Sequence, residues 1–112
     1  MSNTNMSKTS RWAVAGVVAI LMTGVMAFAQ ADGAATYKAK CQMCHGMQGT
    51  PNPGIAKAMG VKSAKDPAVK GMTEAQMVAE TTNGKGKMPA FKGKLTDAQI
   101  KDAVSYFRTF SK

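Results

Sequence analysis

The chain has 112 residues and sets 15 Lys and Arg against six Asp and Glu, a formal charge of +9. That length bounds it to one domain. The basic charge suits an anionic lipid or an acidic protein, whereas the missing interleaving of aromatic and basic residues argues against nucleic acid.

The first third differs from the rest. Lys8 and Arg11 precede an apolar run of 18 residues from Trp12 to Ala29, interrupted only by glycines and Thr23. Two small-x-small sites follow, Ala27-Phe28-Ala29 and Ala29-Gln30-Ala31. A basic start, an apolar stretch and an A-x-A exit predict a secretory signal peptide over 1–31, cleaved after Ala29 or Ala31. The competing reading is an uncleaved membrane anchor, since 18 residues just reach spanning length. Export to the periplasm is expected, with membrane contact only if the segment is retained.

Residues 32–112 then form the working domain. These 81 residues hold only ten Leu, Ile, Val and Phe, a fraction at which composition alone suggests disorder. A small domain is already poor at burying surface. A large flat apolar cofactor would supply the missing core, and six methionines in this region are flexible enough to mould around one. The region carries a formal charge of +7.

A first helix is predicted from Asp32 to Cys41. Asp32 suits the N-cap, and the alanines and lysines after it are good helix formers. Gly33 and Tyr37, four apart, share a face suited to a close helix crossing. Next comes Cys41-Gln42-Met43-Cys44-His45, which holds both cysteines and the only histidine of the chain. C-x-x-C-H is the attachment signature of a c-type haem. Two thiols three residues apart reach two vinyl groups of one porphyrin, and the adjacent imidazole becomes the proximal ligand of the iron. Other readings fit less well. A thioredoxin-type pair needs strand–helix alternation, a Cys-Cys-His zinc site lacks a fourth Cys or His, and a local disulfide leaves His45 unexplained.

Glycines and prolines from Gly46 to Gly60 predict a loop, with a short helical turn at Ile55–Ala58. A backbone carbonyl near Pro51 or Pro53 is a candidate to hold the second ring nitrogen of His45. Gly60–Gly71 reads as exposed connection. Thr73-Glu74-Ala75-Gln76 is a capping box, opening a helix to about Thr82 that Asn83-Gly84 terminates. A second box, Thr96-Asp97-Ala98-Gln99, opens a helix with Ile100, Ala103, Val104, Phe107 and Phe110 on one face. No segment of the domain reads as β-sheet.

Between those helices, Gly84-Lys85-Gly86-Lys87-Met88-Pro89 forms a glycine-flexed loop stiffened directly after Met88. This makes Met88 the first candidate for the sixth ligand. Met43 lies inside the attachment motif, Met47 is too near His45, Met77 suits a core face, and Met59 and Met72 suit gap-filling.

Together these motifs resemble the small bacterial class I c-type cytochromes over nearly all of residues 33–112. The resemblance implies an all-α cytochrome c fold of about three to five short helices around one covalent haem, with the first and last helices crossing. It implies thioether bonds at Cys41 and Cys44, His45 and Met88 on the iron, and Tyr106 and Phe107 in the terminal helix. The stretch from Thr50 to Gly71 aligns with no particular subfamily.

Two neutral ligands favour a fairly positive one-electron carrier, and filled axial positions leave no site for substrate, so no enzyme activity is expected. The expected partners are redox proteins with acidic docking surfaces, steered by Lys85, Lys87, Lys92 and Lys94 around Met88. A monomer is expected. The alternatives are a haem sensor or peroxidase-like protein with an open sixth position, and a subunit of a larger respiratory complex.

Overall fold

The computed structural model describes residues 32–112. The segment read as a signal peptide lies outside the described residues. Six helical segments follow in order: α1 (Gly33–Lys40), α2 (Gln42–His45), α3 (Pro53–Met59), α4 (Pro67–Lys70), α5 (Glu74–Asn83) and α6 (Asp97–Thr109). The excess over the expected three to five comes from α2 and α4, each a single turn of four residues. Among the described residues no strand forms; two isolated bridges, Lys85 with Met88 and Lys92 with Leu95, are the only pairings of that kind. No described helix is long and apolar enough to cross a membrane.

Local chemistry accounts for the helix starts. The Asp32 carboxylate accepts from the amides of Ala34 and Ala35, as an N-cap should. Both capping boxes are complete. Thr73 and Gln76 exchange bonds of 2.8 and 3.1 Å ahead of α5, and Thr96 and Gln99 exchange bonds of 2.9 and 3.1 Å ahead of α6.

The middle of the chain corrects the sequence reading. The expected turn at Ile55–Ala58 is a seven-residue helix, α3, capped by Asn52 with Pro53 in its first turn. The stretch read as plain connection contains α4, capped by Asp66 with Pro67 in its first turn. An Asx cap followed by proline is a genuine helix start. These helices are too short for apolar periodicity to show.

The long-range frame is the crossing of α1 and α6. A Cβ on Gly33 would collide with the backbone carbonyl of Asp102, so only glycine permits this approach. One turn later the Tyr37 ring, 2 % exposed, packs among Tyr106, Phe107 and Phe110 at centroid distances of 5.4, 6.1 and 5.6 Å. The other face of α6 packs on α5. There Met77, Phe91, Ile100 and Val104 form the buried cluster, with Met72, Met88, Leu95 and Phe107 partly buried against it. The fully buried large side chains are Tyr37 and Ile100. This is a thin core, as the composition implies.

Candidate haem-binding site

The chain reaches the motif through α1. The Cys41 amide donates to Tyr37 O at 2.8 Å, and Cys41 then serves as the junction with α2. The amides of Cys44 and His45 both return to Cys41 O, at 3.2 and 2.9 Å. Cys41, Cys44 and His45 therefore lie on one compact turn. Both cysteines are free thiols and half-buried. Burial, with the Cys44 charge second, pushes the Cys41 thiol up to about 11.

His45 is half-buried, with its ring 5.3 Å from that of Phe107, edge to face. Burial lowers its pKa, which favours the neutral imidazole that a metal requires. Its Nδ1 is buried without a hydrogen-bond partner among the described residues. The carbonyl expected near Pro51 or Pro53 is thus not bonded to it. The loop is nonetheless close, because Gly46 packs directly on the Thr50 carbonyl and Pro51 is buried. A tie that the sequence reading missed holds this segment from the other side: the Tyr37 hydroxyl donates to Gly46 O at 2.6 Å. Tyr37 read as ordinary core, and a hydroxyl reaching nine residues along the chain leaves no sequence signal.

Met88 sits in a tightly fastened loop. The amide and carbonyl of Met88 exchange bonds with Lys85 at 3.0 and 3.1 Å, closing a turn over Gly86 and Lys87. The amides of Phe91 and Lys92 donate to the carbonyls of Thr81 and Thr82 at 3.0 and 3.1 Å, tying the loop back to α5. Gly84 has φ +79°, and a Cβ there would sit 2.9 Å from Met88 O and Ala90 N. Both conditions select glycine.

The other methionines divide clearly. Met43 and Met47 are 85 % and 73 % exposed, Met59 lies at the surface, and Met77 is core. Met72 and Met88 are partly buried against the cluster, and of these Met88 alone lies in the fastened loop. The four lysines around Met88 also divide. Lys85 pairs with Glu80 at 2.7 Å and Lys87 donates to Ala58 O at 2.6 Å. The ammonium groups of Lys92 and Lys94 make no bond within the described residues, so of the four lysines Lys85 alone is offset by a carboxylate, while Lys87, bonded to a neutral carbonyl, keeps its charge.

The donor set suits a haem c. It offers two unpaired thiols on one turn, an imidazole held neutral by burial, and a thioether on a braced loop. None of these residues is committed to another strong partner.

Known proteins agree with this. The family model described as "Cytochrome C oxidase, cbb3-type, subunit III" matches residues 28–107. The chain is 47% identical over 85 residues to cytochrome c-555 of Chlorobaculum thiosulfatiphilum, covering 68% of this chain and 90% of that one. It is 40% identical over 80 residues to cytochrome c6 of Leptolyngbya boryana, covering 68% and 86%. Among solved structures, "KustC0563 c-type cytochrome" superposes with a TM-score of 0.65 at 28% identity, over 72% of this chain and 99% of that one. Cytochrome c6 of the diatom Phaeodactylum tricornutum superposes with a TM-score of 0.53 at 27% identity, over 71% and 91%. The crossing of α1 and α6, the C-x-x-C-H turn and these likenesses together place the chain among the small monohaem class I cytochromes c, a family whose members carry one covalently bound haem c.

Proposed function

We propose that this protein is a periplasmic one-electron carrier between redox proteins, with thioether bonds at Cys41 and Cys44 and with His45 and Met88 as axial ligands. Similarity to cytochromes c6 and c-555 over most of their length supports the carrier class. The observation that carries the ligand assignment is the bracing of the Met88 loop, set against the exposure of Met43 and Met47.

When bound, haem c supplies a reversible Fe(III)/Fe(II) couple. The chain does the rest. His45, held neutral by burial, presents a nitrogen lone pair. The Met88 thioether is neutral too, so neither ligand offsets the extra positive charge of the ferric state. A low-dielectric surround then favours the ferrous state and raises the potential. Were His45 and Met88 both to hold the iron, no coordination site would be left for a substrate, which fits a carrier rather than an enzyme.

On this reading residues 1–31 are the export signal and 32–112 the cytochrome domain. Around Met88, Lys87, Lys92 and Lys94 carry charge that no carboxylate offsets and that is available to an acidic redox partner. The description of the matching family as an oxidase subunit favours a second reading, a subunit docked in a respiratory complex. The near-complete coverage of the short c6 and c-555 chains favours the independent carrier.

The deciding experiment is the far-red absorption band that marks a ferric iron–thioether bond. Native protein is expected to show it, Met88→Ala to lose it, and Met72→Ala to keep it. A band that survives Met88→Ala overturns the assignment.

A further inference from the structure

The Met88 loop has two kinds of anchor. Its backbone bonds run to α5, through Thr81 and Thr82, on its own side of the molecule. Only one of the loop's hydrogen bonds reaches the segment that follows the C-x-x-C-H turn. Lys87 Nζ donates to Ala58 O at 2.6 Å, across 29 residues of sequence. Ala58 lies in the last turn of α3, where a carbonyl has no helical amide to accept from. The ammonium supplies that missing donor.

We propose that Lys87 is a positioning residue for Met88, latching the Met88 loop to the C-terminal end of α3. Lys87 is a central residue of the turn closed by the Lys85–Met88 bonds, so its backbone moves with the sulfur-bearing residue. Its side chain fastens that turn to α3, which packs against α2 and hence against the His45 turn. Without the latch the loop keeps its ties to α5 but can swing away from α3. Met88 then yields its place more readily to an external ligand. Lys85 provides a built-in contrast. It carries the same charge in the same loop, but its ammonium pairs with Glu80 of α5 and makes no tie to α3.

The proposal rests on Met88 being the sixth ligand, and the test separates the two. Ferric holo-protein is titrated with imidazole while the far-red band is followed, in native protein and in Lys87→Met, Lys87→Arg and Lys85→Met. Lys87→Met is expected to keep the band without imidazole, yet to lose it at about three- to fivefold lower imidazole, the range that an exposed charged contact supports. Lys87→Arg, which keeps a cationic donor, is expected to restore native behaviour, and Lys85→Met to match native protein. Helix content and melting of the variants by circular dichroism are expected to stay near native, which sets the effect apart from general loosening. An unchanged imidazole midpoint in Lys87→Met, or an equal shift in Lys85→Met, overturns the latch while leaving the ligand assignment intact. Absence of the band from native protein overturns both.

Discussion

The hydroxyl of Tyr37 and the carbonyl of Gly46 are joined by a 2.6 Å hydrogen bond, which ties the middle of α1 to the residue directly after His45. The same ring packs on Tyr106, Phe107 and Phe110, so the α1–α6 crossing and the attachment turn share one side chain. Phe107 touches both the tyrosine and the imidazole of His45. The helix crossing therefore does more than close the domain, because it also braces the turn that carries His45.

Tyr37→Phe keeps the ring and removes the bond, leaving the Gly46 carbonyl without its donor. Holo-protein is expected to lose about 1–2 kcal/mol in urea unfolding. The pH dependence gives a second reading. Burial first, and the Cys41 charge next, opposed by the Gly49 backbone amide, push the Tyr37 hydroxyl from 10.0 up to about 12. An acid with a higher pKa in the folded state keeps its proton there after the unfolded chain has lost it. Stability therefore falls as pH rises from about 10 to about 12. Once Cys41 is a thioether its charge no longer contributes, but burial keeps the direction. Tyr37→Phe is expected to flatten this part of the curve, and an equal slope in both proteins would refute the assignment.

Local chemistry made much of this molecule readable in advance. The boxes at Thr73 and Thr96 act within one turn, so sequence alone announces α5 and α6. Gly33 and Tyr37 lie four apart and mark a face suited to a close crossing, whereas its partner, α6, is what the resemblance to the class I cytochromes implies. The helices missed or shortened, α4 and α3, carried the signals Asp66-Pro67 and Asn52-Pro53, but neither is long enough for a repeating apolar face. What stayed hidden depends on tertiary placement. The Tyr37–Gly46 and Lys87–Ala58 bonds join a side chain to a distant carbonyl, and every residue offers a carbonyl, so no residue type marks the acceptor. The pairing of Lys85 with Glu80, five residues apart across a helix end, likewise needed the fold of the loop.

Two glycines should respond oppositely to the same substitution. At Gly33 the new methyl meets the Asp102 backbone, which cannot move without separating α1 from α6. Gly33→Ala is expected to cost about 1–3 kcal/mol, as overpacking does. At Gly54, inside α3, the methyl would come no closer than 3.4 Å, to Asn52 Oδ1. Gly54→Ala is expected to stabilise by about 0.5–1 kcal/mol. Thermal unfolding of the two holo-proteins checks both signs.

The core of the described domain is small for its length. Seven hydrophobic residues are buried, and two of them are alanines. Without the cofactor's apolar surface this falls short of the ordering entropy of 81 residues. The Cys41→Ser, Cys44→Ser double variant, which cannot form thioethers, is expected to give a largely unfolded far-ultraviolet circular dichroism spectrum when purified free of haem. A cooperative melt of that chain would show that the polypeptide folds on its own.

Lys92 and Lys94 are exposed and their ammonium groups are unpaired within the described residues, whereas Lys85 and Lys87 are each engaged by the protein. If uncompensated charge steers association, Lys92 and Lys94 should each outweigh the ion-paired Lys85. Lys92→Gln and Lys94→Gln, made singly, are each expected to slow oxidation by an anionic iron hexacyanide complex at low salt, with the difference shrinking as salt rises. Lys85→Gln should matter less, since neutralising one member of a pair exposes Glu80 but removes no free cation from the surface. Stopped-flow rates across a salt series test the order. An effect of Lys85→Gln equal to those of the single Lys92 and Lys94 variants would show that the paired lysine is as available to an incoming anion as the free ones.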